Sequence, residues 1–190
     1  MTESMSLEIR LATIEDVPAI TELIGESVRA LGAGYYSPKQ IASALSHVFG
    51  VDTQLILDET YFVAEVENQI VGSGGWSKRK TLFGGDQLKF GGGQSKQGQI
   101  DSLLDSATEA ARIRAFYVHP HWSRRGVGSR ILTVCENAAR AAGVSRIELV
   151  ATLPGEPLYS SRGYEKAEAI QIDTADGESL PAFRMTKTFI

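Results

Sequence analysis

The residues best suited to chemistry are Arg124-Arg125-Gly126-Val127-Gly128-Ser129. Gly126 and Gly128 stand at the mouth of a helix predicted by apolar residues at Val127, Ile131, Val134, Cys135, Ala138 and Ala142. Glycine lets a ligand approach the backbone closely, and the first N–H groups of a helix have no partner within it. Those donors, with the positive end of the helix dipole, suit an anion and above all a phosphate. The charge agrees. Ala110 to Cys135 contains five arginines and no Asp or Glu, in a chain of net charge -4. That local reversal points to an anionic ligand rather than to a generally basic protein.

Other reactive side chains are scattered. Cys135, the one cysteine, falls on the apolar helix face and reads as a small core residue rather than a nucleophile. His119 and His121 have an intrinsic pKa suited to proton transfer, although His119 directly precedes Pro120 at the start of a loop. Glu65, Asp86, Asp101, Asp105 and Glu109 are the carboxylates from which a general base would be drawn. No Ser-His-Asp set stands out, and no His/Cys/Asp cluster has metal-ligand spacing, so no metal is expected. Gly91-Gly92-Gly93-Gln94-Ser95-Lys96 is glycine-rich like a phosphate loop but lacks the Gly-Lys-Ser/Thr order.

These residues need elements to hold them. Leu7 to Leu11 alternates as a first strand. Thr13 and Asp16 open a helix whose stripe is Val17, Ile20, Ile24, Val28 and Leu31, ending at Gly32 and Gly34. Tyr35 and Tyr36 lie in the connection. Ser37-Pro38-Lys39-Gln40 is a strong start signal for a second helix, to about Val48. Thr60 to Val66 and Ile70 to Ser77 read as a hairpin. Gly72, Gly74 and Gly75 in its second strand predict a bulge or the close approach of another backbone. Trp76 ends that strand and reads as a large residue closing the core ahead of a substrate contact.

Lys78 to Ala110 has little periodicity, with six glycines between Gly84 and Gly98, and reads as a lid or moving segment. Asp101 to Glu109 suggests a short helix or turn. Ile113 to Val118 is the central strand. Gly143 stops the helix that follows it. Arg146 to Thr152 alternates, with Ile147, Leu149 and Ala151 on one side. A turn at Pro154 to Pro157, a helical turn at Leu158 to Arg162, and strands at Glu165 to Ile172 and Leu180 to Phe189 complete the chain.

Composition bounds the class. With 190 residues, 43% hydrophobic and 22% charged, the chain suits one soluble domain with a real core, and no boundary divides residues 1–190. A pI near 5.4 argues against a dedicated nucleic-acid binder. Met1 to Arg10 lacks the apolar run of a signal peptide, and no membrane-spanning stretch occurs, so a cytoplasmic protein is expected.

The order of elements and three motifs resemble the GNAT family of N-acetyltransferases. Phe116-Tyr117-Val118-His119-Pro120 is similar to that family's central strand and its end. Arg124-Arg125-Gly126-Val127-Gly128 is similar to its pyrophosphate loop, Gln/Arg-x-x-Gly-x-Gly/Ala, except that Ser123 takes the first position. Tyr159-Ser160-Ser161-Arg162-Gly163-Tyr164 is similar to its Tyr-x-x-x-Gly-Phe/Tyr ending. The glycine-rich insert is a second departure. The resemblance implies an α/β fold of three layers. Its mixed, mostly antiparallel sheet would have about six or seven strands, with a splayed parallel pair and helices on both faces.

It also implies an activity: transfer of an acetyl group from acetyl-CoA directly to a primary amine. Phe116 and Val118 would meet the pantetheine arm through their main chain. Arg124, Arg125, Gly126, Val127, Gly128 and Ser129 would hold the pyrophosphate. Tyr159 would be the general acid for the leaving thiolate, since a phenol of pKa near about 10 can protonate a thiolate of pKa about 8.5. Tyr164 would be structural. Tyr35, Tyr36, Trp76 and the insert would line the acceptor side. A small-molecule amine is expected ahead of a protein, with no nucleic acid or membrane partner, and a homodimer is compatible.

Three other classes fit the sequence less well. A dinucleotide-binding oxidoreductase would need a third glycine and an acid after a second strand, and both are missing. A nucleic-acid binder would not confine its arginines to one loop and strand. A non-catalytic acyl-CoA-binding regulatory module would keep the phosphate loop and need no acid, yet Tyr159 is present. The cofactor expectation is open to a thermal-shift test. At a hundredfold excess over Kd, a ligand of the native state stabilises it by about 2.7 kcal/mol. Acetyl-CoA should raise Tm accordingly, and NADH and ATP much less. Equal shifts from all three would sink the assignment.

Overall fold

The chain builds strands where its apolar period is two and helices where it is about 3.6. The computed structural model describes residues 6–86, 102–105 and 108–189. In order come β1 (Glu8–Leu11), α1 (Val17–Gly32), α2 (Pro38–His47), α3 (Thr53–Leu57), β2 (Tyr61–Val66) and β3 (Gln69–Ser77). Then follow β4 (Ala111–Val118), α4 (Val127–Ala141), β5 (Arg146–Thr152), α5 (Glu156–Ser161), β6 (Glu165–Asp173) and β7 (Ser179–Thr188). The seven strands form one sheet, ordered β1-β2-β3-β4-β5-β7-β6. Every neighbouring pair is antiparallel except β4 and β5, which are parallel. This is the expected mixed sheet.

Strand alternation divides the core between two layers of helices. Tyr61 and Val63 of β2 face Ile20 and Ile24 of α1 and Leu55 of α3. Ala64 and Val66 face the other way, among Ile131, Leu132 and Cys135 of α4. The glycines of β3 allow that layer to come close. A Cβ at Gly74 would collide with the Phe116 ring, and one at Gly72 with Val127 and Ile131.

The parallel pair is short. Only Ala111↔Ile147 and Arg112↔Glu148 are in register, and beyond them β4 and β5 part. The cause lies on the opposite edge of β4. Its register with β3 shifts between Ser73 and Gly75, and Ala115 takes a left-handed φ of 52°. A bulge of this kind bends its strand and increases its twist. The Ala115 carbonyl accepts a hydrogen bond from the buried Tyr61 hydroxyl at 3.2 Å, so the bulge leaves that group satisfied.

Local signals explain most ends. The Ser37 hydroxyl accepts from Gln40 N–H at 3.1 Å, and the Gln40 side chain accepts from Ser37 N–H at 2.8 Å. The Asp16 carboxylate accepts from Thr13 N–H at 2.7 Å, and the Arg10 guanidinium beside it holds that carboxyl down at about 2. Gly143 follows α4 with a φ of +83°.

Four expectations need correction. The helix α3 was not anticipated. The buried face of α4 includes Leu132 and Ala139, whereas Val134 and Ala138 are half-buried and Ala142 is exposed, because the stripe centres on Ile131 and Cys135. The helix α5 begins at Glu156, with Pro157 inside its first turn, where a missing N–H costs nothing. The ends of the glycine-rich insert are ordered. Leu104 N–H donates to Lys78 O at 2.7 Å and Lys80 N–H to Ser102 O at 3.2 Å, around an Arg79↔Leu103 bridge. Thr108 N–H then donates to Asp105 O at 3.1 Å in a turn. Gly91 to Lys96, Asp101 and most of the proposed lid lie outside the described residues.

A buried ion pair fixes the wall beside the bulge. The Arg114 guanidinium meets Asp52 at the start of α3, with side chains 2% and 0% exposed. It also donates to the carbonyls of Thr81 and Gly84, each at 3.2 Å. Removing one partner of such a pair leaves a buried charge and costs about 3–5 kcal/mol. Asp52→Ala should therefore lower the urea unfolding free energy by about that much. Adding Arg114→Met should recover part of it, and a double variant as unstable as the sum of the singles would refute the coupling.

Candidate functional site

Where β4 and β5 part, a cleft of about 610 Å³ opens through the sheet. One side is made by Phe116, Val118, Gly126, Gly128, Leu158 and Tyr159, the other by Val28, Tyr36, Ile41, Phe49, Phe83 and Leu180. The first side belongs to the α4–α5 layer and the second to the α1–α2 layer.

The loop from β4 into α4 is shaped by backbone conformation. His119 N–H donates to Val71 O at 2.9 Å, and a tight 3-10 turn at Pro120–Trp122 follows. Arg124 has a φ of 61° and Gly126 of +82°. An L side chain at Gly126 would strain the chain even though there is open space around it. Arg130 N–H donates to Gly126 O at 3.0 Å, the first bond of the helix. The amides of Val127, Gly128 and Ser129 precede that bond and form the donor-rich first turn. Arg125 stacks over Trp122, its guanidinium carbon 5.2 Å from the ring centroid. Gly128 has a packing reason as well: a Cβ there would stand 3.1 Å from Leu158 and 3.8 Å from Phe116.

Tyr159 faces the same cleft from α5. It is 6% exposed, and its ring meets Phe116 and Tyr164 edge-on at 6.1 Å and 5.7 Å. Burial first, then the neighbouring Cys135 and Tyr117, pushes its pKa above the usual phenol value. The hydroxyl therefore keeps its proton at neutral pH. Val118 N–H points toward the Ser27 hydroxyl of α1, at 3.4 Å, across the divide between the two layers. Tyr164 is buried behind Tyr159 and is not among the cleft residues.

The acceptor-side residues are placed unevenly. Tyr36 lines the cleft with its ring, and its hydroxyl is already used. It accepts from Leu153 N–H at 2.8 Å and donates to Pro181 O at 2.9 Å. Tyr35 is 54% exposed and is not brought to the cleft. Nor is Trp76, which is 5% exposed within the main core. Sequence reasoning missed Ser27, Ile41, Phe49, Phe83 and Leu180, which carry no signal beyond apolar or small character.

The possible bases are engaged elsewhere. Glu65 pairs with Arg10 at 2.7 Å, and Asp86 accepts from Thr53 N–H at 3.2 Å. Glu109 accepts from Asp105 N–H at 3.0 Å. His119 Nε2 meets Glu26 at 3.0 Å and its Nδ1 accepts from the His121 backbone N–H at 3.2 Å, while the exposed His121 is not among the described cleft residues. Among the described residues lining the cleft, no carboxylate occurs.

Comparisons with known proteins follow the same lines. A family model described as an acetyltransferase (GNAT) domain matches residues 57–166. A solved GCN5-related N-acetyltransferase from Rhodopseudomonas palustris, also described as an aminotransferase of class II, is similar with a TM-score of 0.68 and 20% identity, covering 100% of both chains. PaiA N-acetyltransferase from Thermoplasma acidophilum, solved with coenzyme A, has a TM-score of 0.63 and 18% identity over 97% of this chain and 100% of its own. YncA from Salmonella typhimurium, solved with its cofactor acetyl-CoA, has a TM-score of 0.60 and 17% identity over 96% and 93%. At these identities the structural likeness is one of fold. No curated protein matches by sequence.

The loop geometry yields a binding test. Gly128→Val should displace Leu158 and close the approach to the first turn of α4. Gly126→Asp should add backbone strain of about 1–2 kcal/mol and a carboxylate facing an anion site. Both variants should weaken acetyl-CoA binding by calorimetry at least roughly tenfold. Parent-like affinity in both would place the phosphate contacts elsewhere.

Proposed function

This chain belongs to the GNAT acetyltransferase family, and from that premise we propose that it transfers an acetyl group from acetyl-CoA to a primary amine. One observation carries the reading: the first turn of α4 and the Tyr159 phenol face a single cleft where β4 and β5 separate. The coenzyme A and acetyl-CoA bound by PaiA and YncA support it.

The residues present fit this co-substrate. Left-handed Gly126, three helix-start amides and two exposed arginines form a cradle for a pyrophosphate. Arg124, Arg125 and the amides of Val127, Gly128 and Ser129 would hold it, with the arginines supplying the charge that Ser123 cannot. Beyond Arg112, β4 has no partner in β5, so its edge at Phe116 and Val118 is open to a pantetheine arm, with Val118 N–H meeting, among the described residues, only the Ser27 hydroxyl there. Acetyl-CoA, when bound, supplies a thioester that an amine can attack directly.

Two groups of the protein then matter for the chemistry. The Val118 amide, which reaches the Ser27 hydroxyl by a long 3.4 Å contact, is a donor in a largely apolar cleft that a carbonyl oxygen displacing that contact could use as charge grows on it. Tyr159 holds a proton at its phenol oxygen for the departing sulfur. Its raised pKa does not prevent this, because the same desolvation raises that of the thiol. Direct attack requires no nucleophilic Ser or Cys, and Cys135 is buried with its thiol pKa pushed up by burial.

Tyr159→Phe keeps the ring and removes the proton. General acid catalysis is worth about 10²–10⁴-fold, so kcat should fall within that range with acetyl-CoA affinity little changed. Burial should also keep the parent's activity from declining until above pH about 10, the ordinary phenol value. Unchanged kcat would make Tyr159 a packing residue. A parent that binds acetyl-CoA and acetylates no amine would favour the regulatory-module reading.

A further inference from the structure

The acceptor side of the cleft is more informative than its family position. Val28 and Leu31 of α1, Ile41 of α2, Phe49, Phe83 and Leu180 of β7 all line it. They come from segments far apart in sequence, and all but Leu31 join one apolar cluster that continues into Ala44, Val48 and Ile172. Phe49 also packs edge-on against Tyr117 at 6.5 Å.

The aromatic hydroxyls and the guanidinium on this side are already engaged, and the Ser27 hydroxyl accepts from Val118 N–H at 3.4 Å. Both hydrogen-bonding roles of the Tyr36 hydroxyl are used, toward Leu153 and Pro181. The Tyr117 hydroxyl is held by the Gly50 backbone. Arg114 is neutralised by Asp52 and bonded to two carbonyls, with its side chain 2% exposed. Arg124, the other charged residue among the described lining, belongs to the loop before α4 on the opposite side.

Resting on the acetyl-transfer reading above, we propose that the acceptor is a primary amine bearing an apolar, ring-sized group, taken up as the neutral amine. An apolar wall stabilises such a group by about 25 cal/mol per Å² removed from water. Among its described residues it offers no carboxylate to a second ammonium, so a polyamine would bury an unpaired charge. The same described residues offer no uncommitted cation to a carboxylate, so an amino acid would be penalised for the same reason.

The apolar wall also explains how the amine loses its proton. Desolvation disfavours an ammonium, so the cleft selects the neutral form. Its nitrogen lone pair forms the bond to the acetyl carbon as the carbon–sulfur bond breaks. Tyr159 gives its proton to the sulfur, and the surplus proton on nitrogen returns to the tyrosinate directly or through solvent. Amine and thioester thus become amide and thiol with no net proton change. The titratable or charged groups lining the cleft among the described residues are Tyr36, Tyr117, Tyr159, Arg124 and Arg114, the last paired with Asp52, while His119 next to Val118 pairs with Glu26.

The test measures thiol release with 2-phenylethylamine, phenylalaninamide, spermidine, glutamate and an alanyl tripeptide. The two aromatic amines should exceed the others in kcat/KM by roughly tenfold or more, as expected for discrimination by an apolar pocket. Their pH profiles should rise to different limits. Phenylalaninamide should level near an α-amino pKa of about 7.7–8.0, and 2-phenylethylamine nearer the alkylamine value of about 10.4. Phe83→Glu should shift the preference toward spermidine by a similar factor of about ten.

Turnover confined to spermidine, glutamate or the tripeptide would overturn the acceptor class alone. A pH limb that stays fixed between the two aromatic amines would overturn uptake of the neutral form, by revealing an enzyme base. Binding of acetyl-CoA with no turnover of any amine would overturn the transfer reading itself.

Discussion

The bulge at Ala115 bends β4 out of line with β5 after Ala111 and Arg112. A left-handed alanine costs about 1–2 kcal/mol, and the strand pairing lost beyond it costs more. The surroundings offset this. Tyr61 donates to the freed carbonyl, Ser73 takes part in the same buried hydrogen-bonding group, and Arg114 next door anchors the strand to α3. Without the bend, the sheet would close and the two helical layers would share no opening. The cleft is thus an interruption in strand pairing held open by buried polar contacts.

The bend also assigns work to the two faces of β4. Alternate residues of a strand point to opposite sides. Phe116 and Val118 pack toward the main core containing α4, whereas Ala115 and Tyr117 pack toward α1 and α3. An anion-seeking helix start therefore lies across the sheet from an aromatic pocket. Ser27, reaching Val118 N–H at 3.4 Å, marks the level at which the two meet.

Much of this was legible in the sequence where short-range rules operate. Gly126 follows from the backbone turn before α4, the Ser37–Gln40 box from its capping pattern, and Gly72 and Gly74 from the pressure of a neighbouring layer. The rest depends on contacts that spacing does not encode. Arg114 and Asp52 are 62 residues apart in sequence, and neither announces its partner. Five-residue α3 is too short to be stable alone and is braced by the Asp86 carboxylate at Thr53 N–H. Tyr35 and Tyr36 are adjacent and chemically alike, yet only Tyr36 turns inward, because its hydroxyl finds Leu153 and Pro181. Trp76 falls on the core side of β3, as its reading as a large core-closing residue expects and its place on the acceptor side does not.

The pinned ends of the glycine-rich insert have a consequence for how such a protein can diversify. Lys78, Lys80, Ser102 and Leu104 clasp the segment where it leaves and rejoins the sheet. With the ends clasped, each doubling of the intervening length costs only about 0.6 kcal/mol of closure entropy. Phe83 and Gly84, just inside the clasp, already form part of the cleft wall. Changes of length between 87 and 101, beyond the Asp86 that braces α3, therefore cost folding little. Chain length can thus vary next to the Phe83–Gly84 wall while the loop before α4 stays untouched.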